Sequence, residues 1–272
     1  MKHNPVIGLI AAMTITLSCS VKEDREPCPC WLNIDLRQCG SVHDNRLGQD
    51  LTFSAMDVVV SAWNDSFLFQ QKVDHEDYGQ LCEKTVPKSY VSTSVVHGEE
   101  KMIRDGYKLI IPTGDDADEI WAHAGNVACF YEFALDTAVL HKQFARIRVK
   151  IANPIKEEYP YTFRLRGEIY GLDLRDLTPL EGKIDMELQR GKDDIIDFNL
   201  IRQKQDSKIE IDVYEKDKLI DTFPINEWIR ELNYSWLAKD LKDINMNIDY
   251  AKGEIFIKVN DWGDGGSIKI EI

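Results

Sequence analysis

The protein has 272 residues, of which 43% are hydrophobic and 10% aromatic, so the chain can bury one large core or two smaller ones. Its formal net charge of −14 argues against nucleic-acid binding, which needs a basic face, and against electrostatic docking to anionic lipid. A charged fraction of 29% without long biased tracts is typical of a folded chain.

The first segment has a short basic start at Lys2 and His3, followed by an uncharged apolar run over residues 6–17. A helix of this length covers about 18 Å, which is too short for the ~30 Å hydrocarbon core of a bilayer. The pattern instead predicts a signal peptide over residues 1–18 and export of the remaining chain.

The apolar run ends at Ser18 and Cys19, and a small residue before a cysteine at this point is typical of a bacterial lipoprotein signal. Thr16 stands where such signals usually carry leucine. The Cys19 thiolate would take a diacylglycerol group, and its freed amine would take a further acyl chain such as palmitate, which together anchor a protein stably. We predict lipidation at Cys19 and a charged tether over residues 19–27. Ordinary cleavage after Ser18 is the alternative.

Five cysteines remain once Cys19 is acylated, and an exported chain can form disulfides. Since five is odd, at least one thiol stays free or pairs with another chain. Cys28 and Cys30 are too close to bridge each other, but one of them can bridge to Cys39, and the sequence leaves the pairing open. No second Cys or His pair has zinc-binding spacing, so we expect no metal and no cofactor.

After residue 30 the hydrophobic periodicity is mostly two, which predicts strands. We predict strands over residues 31–36, 56–63, 67–73, 90–96, 107–111, 119–125, 127–135, 144–151, 162–172, 183–189, 195–201 and 267–272. Hairpins are predicted over residues 208–225 and 245–259, and Asn226 is predicted to cap a helix over 227–236. The pattern restarts near residues 136–142. These features predict an all-β protein with one or two short helices and two β-sandwich domains, 28–138 and 139–272.

The sequence contains no nucleophile elbow, zinc-protease helix, dinucleotide fingerprint or phosphate-binding loop. His75, Glu76 and Asp77 form a metal-like cluster, but they lie in a polar stretch that is typical of a solvated loop. Trp63 and Trp121 lie in strand patterns that favour core packing over a sugar cleft. We therefore predict no catalytic residues, no enzyme activity and no small-molecule substrate.

Several short motifs, taken in order, resemble the fimbrial anchor subunits of Bacteroidetes, the FimB-like lipoproteins. They are Cys19 with its charged spacer, Cys28-Pro29-Cys30-Trp31-Leu32, Leu109-Ile110-Ile111-Pro112-Thr113-Gly114, Ile120-Trp121-Ala122-His123-Ala124-Gly125, Phe144-Ala145-Arg146-Ile147-Arg148-Val149 and Asn260-Asp261-Trp262. Lys22-Glu23-Asp24 also resembles a signal that sends some lipoproteins of this phylum to the outer leaflet. The aspartates at 115–118 depart from the family, which often has a glycine-tyrosine step there.

The resemblance implies two tandem transthyretin-like sandwiches and a role in cell adhesion at the base of a fimbria. Such a subunit would be lipid-anchored and surface-exposed on the outer membrane, would hold the pilus and would limit its length. Its partners would be pilin subunits, joined through strand-mediated contacts. The alternative is a surface lipoprotein that binds glycans for an uptake system, which would need exposed, coplanar aromatics. Burial of Trp228, Trp236 and Trp262 would count against that alternative. A lipid-anchored hydrolase, the third class, would need a clustered acid–base site.

Overall fold

The computed structural model describes residues 28–39, 41–44, 49–52, 58–77, 79, 81–152, 161–191, 194–249, 254–259 and 267–271. Over these ranges the protein is all-β with one short α-helix, which confirms the predicted fold class. No helix among the described residues has the length and apolar content that crossing a bilayer requires.

The first half of the chain contains twelve of the described strands. They are β1 (Cys30–Asp35), β2 (Ser41–Asp44), β3 (Gln49–Thr52), β4 (Val58–Asn64), β5 (Phe67–Val73), β6 (Leu81–Val86), β7 (Tyr90–His97), β8 (Ile103–Asp105), β9 (Lys108–Ile110), β10 (Trp121–Ala128), β11 (Phe133–Thr137) and β12 (His141–Lys142). A 3₁₀ turn, His75–Asp77, separates β5 from β6, and Glu76 and Asp77 in it are exposed, as predicted for a solvated loop.

The second half contains the other described strands and the helix. They are β13 (Phe144–Ala152), β14 (Tyr161–Asp173), β15 (Thr178–Leu188), β16 (Ile195–Ile201), β17 (Ile209–Glu215), β18 (Lys218–Pro224), α1 (Ile225–Glu231), β19 (Ile244–Asp249), β20 (Glu254–Val259) and β21 (Ser267–Glu271).

The N-terminal sandwich consists of a three-stranded sheet, in the order β11-β1-β6, and a five-stranded sheet, in the order β12-β10-β7-β4-β5. Alternate residues of each sheet point into one shared core, which includes Leu32 and Ile34 from the first sheet and Val60, Val95 and Trp121 from the second. This packing follows from the period-two pattern, because successive side chains of a strand point to opposite faces.

The C-terminal sandwich also has two sheets. One has the order β16-β13-β19-β20-β21, and the other has the order β18-β17-β14-β9-β8 with β15 paired to β14. The hairpin β8–β9 comes from the first half of the chain but joins the C-terminal sandwich, where Leu109 pairs with Leu172. Gly171 permits this approach, since a Cβ there would lie 2.3 Å from the Leu109 carbonyl oxygen. Sheet pairing thus crosses residue 138, and the division into 28–138 and 139–272 stays a prediction.

The helix differs from its predicted form. Helix α1 begins at Ile225 and has no side-chain cap, so the prediction of an Asn226 N-cap is wrong. Asn226 is buried within the first turn, where its amide donates to the Ser207 carbonyl (2.5 Å) and accepts from the Trp236 indole Nε1 (2.9 Å). These tertiary partners satisfy the Asn226 side chain, and the helix ends at Glu231, well before the predicted residue 236.

A buried polar network joins the segment between the two halves to the C-terminal sandwich. The Lys142 ammonium contacts Asp243 at 2.5 Å, with both side chains almost fully buried. Arg202 donates to the Gln143 side chain (2.7 Å) and to the Trp236 carbonyl (2.5 Å). Removing either partner of a buried charged pair leaves an uncompensated charge, so this network fixes the junction in one arrangement.

The aspartates at 115–118, where the sequence departs from the resembled family, have structural roles. The buried Asp118 carboxylate accepts hydrogen bonds from the backbone N–H groups of Glu100 (2.9 Å), Lys101 (2.7 Å) and Met102 (2.7 Å). Asp116 accepts one from the Asn199 N–H at 3.0 Å. Asp118 therefore holds the loop at residues 100–102 in place, and Asp116 fastens its own loop to strand β16.

Candidate functional site

The strand closest to the predicted lipid is fully built into the fold. Strand β1 lies in the middle of its sheet, parallel to β11 and antiparallel to β6, with ladder pairs on both sides along its length. Its inward side chains Leu32 and Ile34, and Leu36 just beyond it, are at most 1% exposed. The position of β1 in the sheet is therefore occupied on both edges and on its inner face.

The predicted tether joins this strand directly. β1 begins at Cys30, eleven residues after Cys19, and an extended chain of that length reaches at most about 40 Å. Cys28 is exposed where the described chain begins, whereas Cys30 is buried. Cys19 and the tether lie outside the described residues, so lipidation at Cys19 stays a prediction.

The outer surface of the same sheet is apolar and exposed. Trp31 (49% exposed) lies opposite Phe133 (68%), and Leu135 (61%) follows on the same face of β11. Tyr131 (78%) lies in the loop immediately before β11. We call these four residues the aromatic face. Contiguous exposed apolar surface of this kind marks sites of interaction with a partner or ligand.

The five described cysteines are free thiols in the structure. The Cys39 thiol donates to the Ala138 carbonyl oxygen at 3.5 Å, and burial raises its pKa to about 12. Cys30 and Cys129 are both fully buried in the same hydrophobic core, and burial raises the pKa of the Cys129 thiol to about 12, with the neighbouring Cys30 adding to the rise. The bridge predicted among Cys28, Cys30 and Cys39 stays a prediction.

One His–Asp cluster superficially resembles a catalytic site. The His123 Nε2 donates to Asp136 at 3.2 Å, and its Nδ1 accepts from the Val139 backbone N–H at 3.4 Å. The Thr93 hydroxyl donates to Asp136 and not to His123. Burial raises the pKa of Asp136, but the hydrogen bonds from His123 and Thr93 outweigh burial and lower it. Because both ring nitrogens are engaged within the fold, His123 has no free nitrogen to activate a nucleophile.

The space around this cluster is tight. A Cβ at Gly125 would lie 2.6 Å from the Thr93 hydroxyl and 2.7 Å from the Asp136 carboxylate. Glycine is therefore required beside the cluster, which leaves no room for a substrate between these side chains. We interpret the cluster as a structural one that fastens β11 to β7 and β10.

The C-terminal tryptophans that distinguish the two functional alternatives are buried or partly buried where the structure describes them. Trp236 is fully buried, and Trp228 packs partly buried against Phe223, with ring centroids 5.6 Å apart. Trp262 lies outside the described residues. Trp228 and Trp236 thus form no exposed platform for a sugar. Among the described residues, the exposed tryptophan is Trp31, which belongs to the aromatic face.

An open cleft of about 1130 Å³ lies beside the N-terminal sandwich. The described residues include no group of His, Cys, Asp and Glu side chains that could hold a metal ion. Tyr90 and Tyr107 line it, and the Arg175 guanidinium covers the Tyr107 ring at 3.7 Å from its centroid. Aromatic rings and a guanidinium can contact a polar ligand, but the stacking of Arg175 on Tyr107 occupies one of these rings.

Comparison with known proteins gives structural neighbours. No family model matches the chain, and no curated protein matches it. The fimbrial anchor protein Mfa2 from Porphyromonas gingivalis matches with a TM-score of 0.58 and 12% identity, over 86% of this chain and 99% of that chain. The chain has the fold of a fimbrial anchor protein.

Two further solved structures share this fold. A candidate adhesin from Bacteroides ovatus matches with a TM-score of 0.59 and 11% identity, over 89% of this chain and 96% of that one. A candidate polysaccharide-binding protein from Bacteroides thetaiotaomicron matches with a TM-score of 0.58 and 14% identity, over 90% and 98%. The resemblance predicted from the sequence motifs is thus confirmed at the level of the fold.

Proposed function

We propose that the protein is a lipid-anchored fimbrial subunit that attaches a pilus to the outer membrane and limits its length by capping polymerisation. The observation that carries the proposal is the central position of β1 between β11 and β6. The fold shared with a fimbrial anchor protein and the Cys19 signal at the start of the sequence support it.

The capping step follows from strand pairing. Subunits that polymerise by strand addition need an unpaired edge or groove to receive a partner's strand. In the stalk pilins of the resembled family, loss of an N-terminal segment opens that groove. Here β1 fills its position, with Leu32 and Ile34 buried beneath it. The N-terminal sandwich therefore offers no acceptor groove at this position, and the subunit joins a polymer by one end only.

The anchoring step follows from the order of segments along the chain. The lipid on Cys19, the tether and β1 are consecutive, so a cut between Cys19 and Trp31 would free the domain from its own anchor. A working anchor must keep this segment intact. Retention of β1 thus has two effects: it closes the acceptor groove, and it preserves the link to the membrane. The pilin subunits are the partners, and the outer membrane is the attachment surface.

Deletion of the gene, followed by complementation, separates the two roles. Loss of the protein should give longer fimbriae that are shed into the medium, measured by electron microscopy and by the pilin content of the supernatant. The unlipidated variant Cys19→Ala, exported by a cleavable signal, should restore the length limit but not the attachment. Ser20→Ala, which leaves the lipidation site intact, should restore both. Attached fimbriae of normal length in the deletion strain would refute the proposal.

A second candidate is glycan binding at the cell surface, and the aromatic face is the observation that favours it. Exposed Trp31 and Phe133, opposite each other across two paired strands, can stack on sugar rings. Titration with host and dietary oligosaccharides tests this function. Loss of binding in Trp31→Ala, with binding retained in Leu237→Ala at an 80% exposed position in the C-terminal half, would support it. Fimbriae of normal length and attachment in the deletion strain would favour it over the anchor.

A further inference from the structure

We propose that Cys30 and Cys129 form a disulfide in the exported protein, and that this bridge fastens the first residue of the anchor strand β1 to the opposite sheet of the N-terminal sandwich. The proposal rests on the export step of the proposed function but not on fimbrial attachment.

The two cysteines meet at one end of the sandwich. Cys30 begins β1 in the three-stranded sheet, and Cys129 directly follows β10 of the five-stranded sheet. Both side chains are fully buried in the same core, and Cys30 lies near enough to Cys129 to add to the raised pKa of its thiol. A bridge between them would link the two sheets across the core they share.

Backbone contacts independent of the thiols hold both residues in place. The Trp31 N–H donates to the Glu132 carbonyl at 2.7 Å, and the Cys129 N–H donates to the Ser89 carbonyl at 2.9 Å. The loop that carries Cys129 is therefore fixed against the start of β1 on one side and against the start of β7 on the other. Such pre-positioning matters because a disulfide tolerates little displacement of its two Cα atoms.

The other described cysteines are placed elsewhere. Cys39 lies beyond the far end of β1 from Cys30, and at ~3.3 Å per residue this strand is about 17 Å long. The Cys39 thiol also donates a hydrogen bond to the Ala138 carbonyl oxygen. Cys82 lies on β6 opposite Ile34, four positions along the strand from Cys30. Cys28 is exposed and only two residues from Cys30. Among the described cysteines, Cys129 is thus the partner that the fold presents to Cys30.

The bond must form while the chain folds. Thiolates, not thiols, carry out disulfide exchange, and burial raises the pKa of the Cys129 thiol to about 12, with the adjacent Cys30 adding to the rise. In the unfolded exported chain, one of the two thiolates attacks the disulfide of a periplasmic thiol–disulfide exchange protein and gives a mixed disulfide. The second thiolate then displaces the donor sulfur. Cys30 and Cys129 together lose two protons and two electrons, and the donor disulfide becomes a dithiol.

The bridge changes how a load on the tether reaches the fold. A pull from a lipid on Cys19 arrives at residue 30 before it reaches any ladder bond of β1. With the bridge, part of this load passes through a covalent bond to Cys129 and the five-stranded sheet. Without it, the start of β1 holds to its neighbours by hydrogen bonds and packing alone.

Differential labelling of the full-length protein tests the proposal. The protein is taken from the cell envelope without reductant, denatured, alkylated with one reagent, then reduced and alkylated with a second, and its peptides are mapped by mass spectrometry. We expect Cys30 and Cys129 to carry the second label and Cys82 the first, while Cys39 carries the second label only if it pairs with Cys28. First-label modification of Cys30 or Cys129, or a peptide that links either one to another cysteine, would overturn the proposal.

The same sample separates this proposal from the proposed function. Envelope-located protein with free Cys30 and Cys129 overturns the bridge alone, whereas protein confined to the cytoplasm overturns export and the bridge with it.

Alanine variants add a second readout. Cys30→Ala, Cys129→Ala and the double variant should lower the urea midpoint by the same amount. Cys39 is a buried cysteine outside the pair, so the effect of Cys39→Ala on the urea midpoint should add to that of Cys30→Ala or of Cys129→Ala. Additive effects of Cys30→Ala and Cys129→Ala would also overturn the bridge.

Discussion

The retention of β1 predicts that two leucines in adjacent strands of one sheet respond very differently to the same substitution. Leu32 on β1 points into the core and is 0% exposed, whereas Leu135 on β11 points outward in the aromatic face and is 61% exposed. Changing each to alanine removes the same atoms. Any difference in stability between the two variants therefore comes from the burial of Leu32 on the inner face of β1, because the atoms removed are the same.

The expected magnitude for Leu32→Ala follows from the lost burial. Removing the equivalent of three carbon groups from the core costs about 2.4 kcal/mol of transfer free energy at ~0.8 kcal/mol per group. The cavity that remains adds to this, so the loss in free energy of unfolding should be about 3–5 kcal/mol. Leu135→Ala should cost less than about 1 kcal/mol, as for other exposed positions. The first loss is a large share of the 5–15 kcal/mol that stabilises a typical domain.

Urea unfolding followed by far-ultraviolet circular dichroism measures both free energies. In the fimbrial assay, Leu32→Ala should also weaken the length limit, because β1 then leaves its position more often and exposes the acceptor groove. Leu135→Ala should leave the length limit unchanged if the aromatic face plays no part in capping. Equal losses of stability for the two variants, or a loss below about 1 kcal/mol for Leu32→Ala, would refute the packing on which the capping argument depends.

Two further predictions concern stability. Gly98→Ala should clearly lower the melting temperature, since Gly98 has a φ of +94° and a Cβ there would lie 2.2 Å from the Glu119 carbonyl oxygen. Gly79→Ala is the control. A Cβ at Gly79 would meet no atom within 4 Å, so this variant should leave the melting temperature nearly unchanged. Acid should destabilise the protein, because the Arg37 side chain lowers the pKa of Asp35 from 3.8 to about 2, and hydrogen bonds also lower the pKa of Asp136 against the effect of burial. A carboxyl group with a lowered pKa stabilises the fold fully above its unfolded pKa of about 4, and this contribution is lost as the pH falls toward 2. The urea midpoint should therefore decrease as the pH is lowered from about 5 to about 2. An unchanged midpoint would contradict the assignment.

Strands whose period-two pattern is uninterrupted were predictable from the sequence. The predictions for residues 67–73 and 195–201 coincide with β5 and β16, and β13 buries Ile147 and Val149 on one face as the alternation indicates. Strand β6 was missed because Lys84 interrupts its apolar alternation. The structure shows why lysine is tolerated there: its ammonium lies 4.4 Å from the centre of the Phe69 ring, so a charged residue takes the place of an apolar one.

The candidate site was predictable only in its local part. The strand predicted over residues 31–36 corresponds to β1, Cys30–Asp35, and the charged segment before it follows from composition. The neighbours of β1 were not predictable, because the parallel partner β11 is about a hundred residues away and no local pattern encodes that pairing. The proximity of Cys129 to Cys30 is a consequence of the same long-range pairing, which explains why the sequence left the disulfide partner open.

The central position of β1 bears on how an anchor holds a load. An edge strand pairs along one side only, and a pull can peel it away one ladder bond after another. Strand β1 pairs with β11 on one side and β6 on the other, so leaving the sheet requires both ladders to break and Leu32 and Ile34 to leave the core. At its far end, the Ala138 N–H donates to the Asp35 carbonyl at 3.0 Å, and the Arg37 guanidinium binds the Asp35 carboxylate at 2.6 Å. The features that resist extraction by force are therefore the same ones that exclude a donor strand. In the role we propose, a subunit that holds a fibre to a membrane through its first strand would also be unable to accept another subunit at that strand, so anchoring and capping would need no separate structural features.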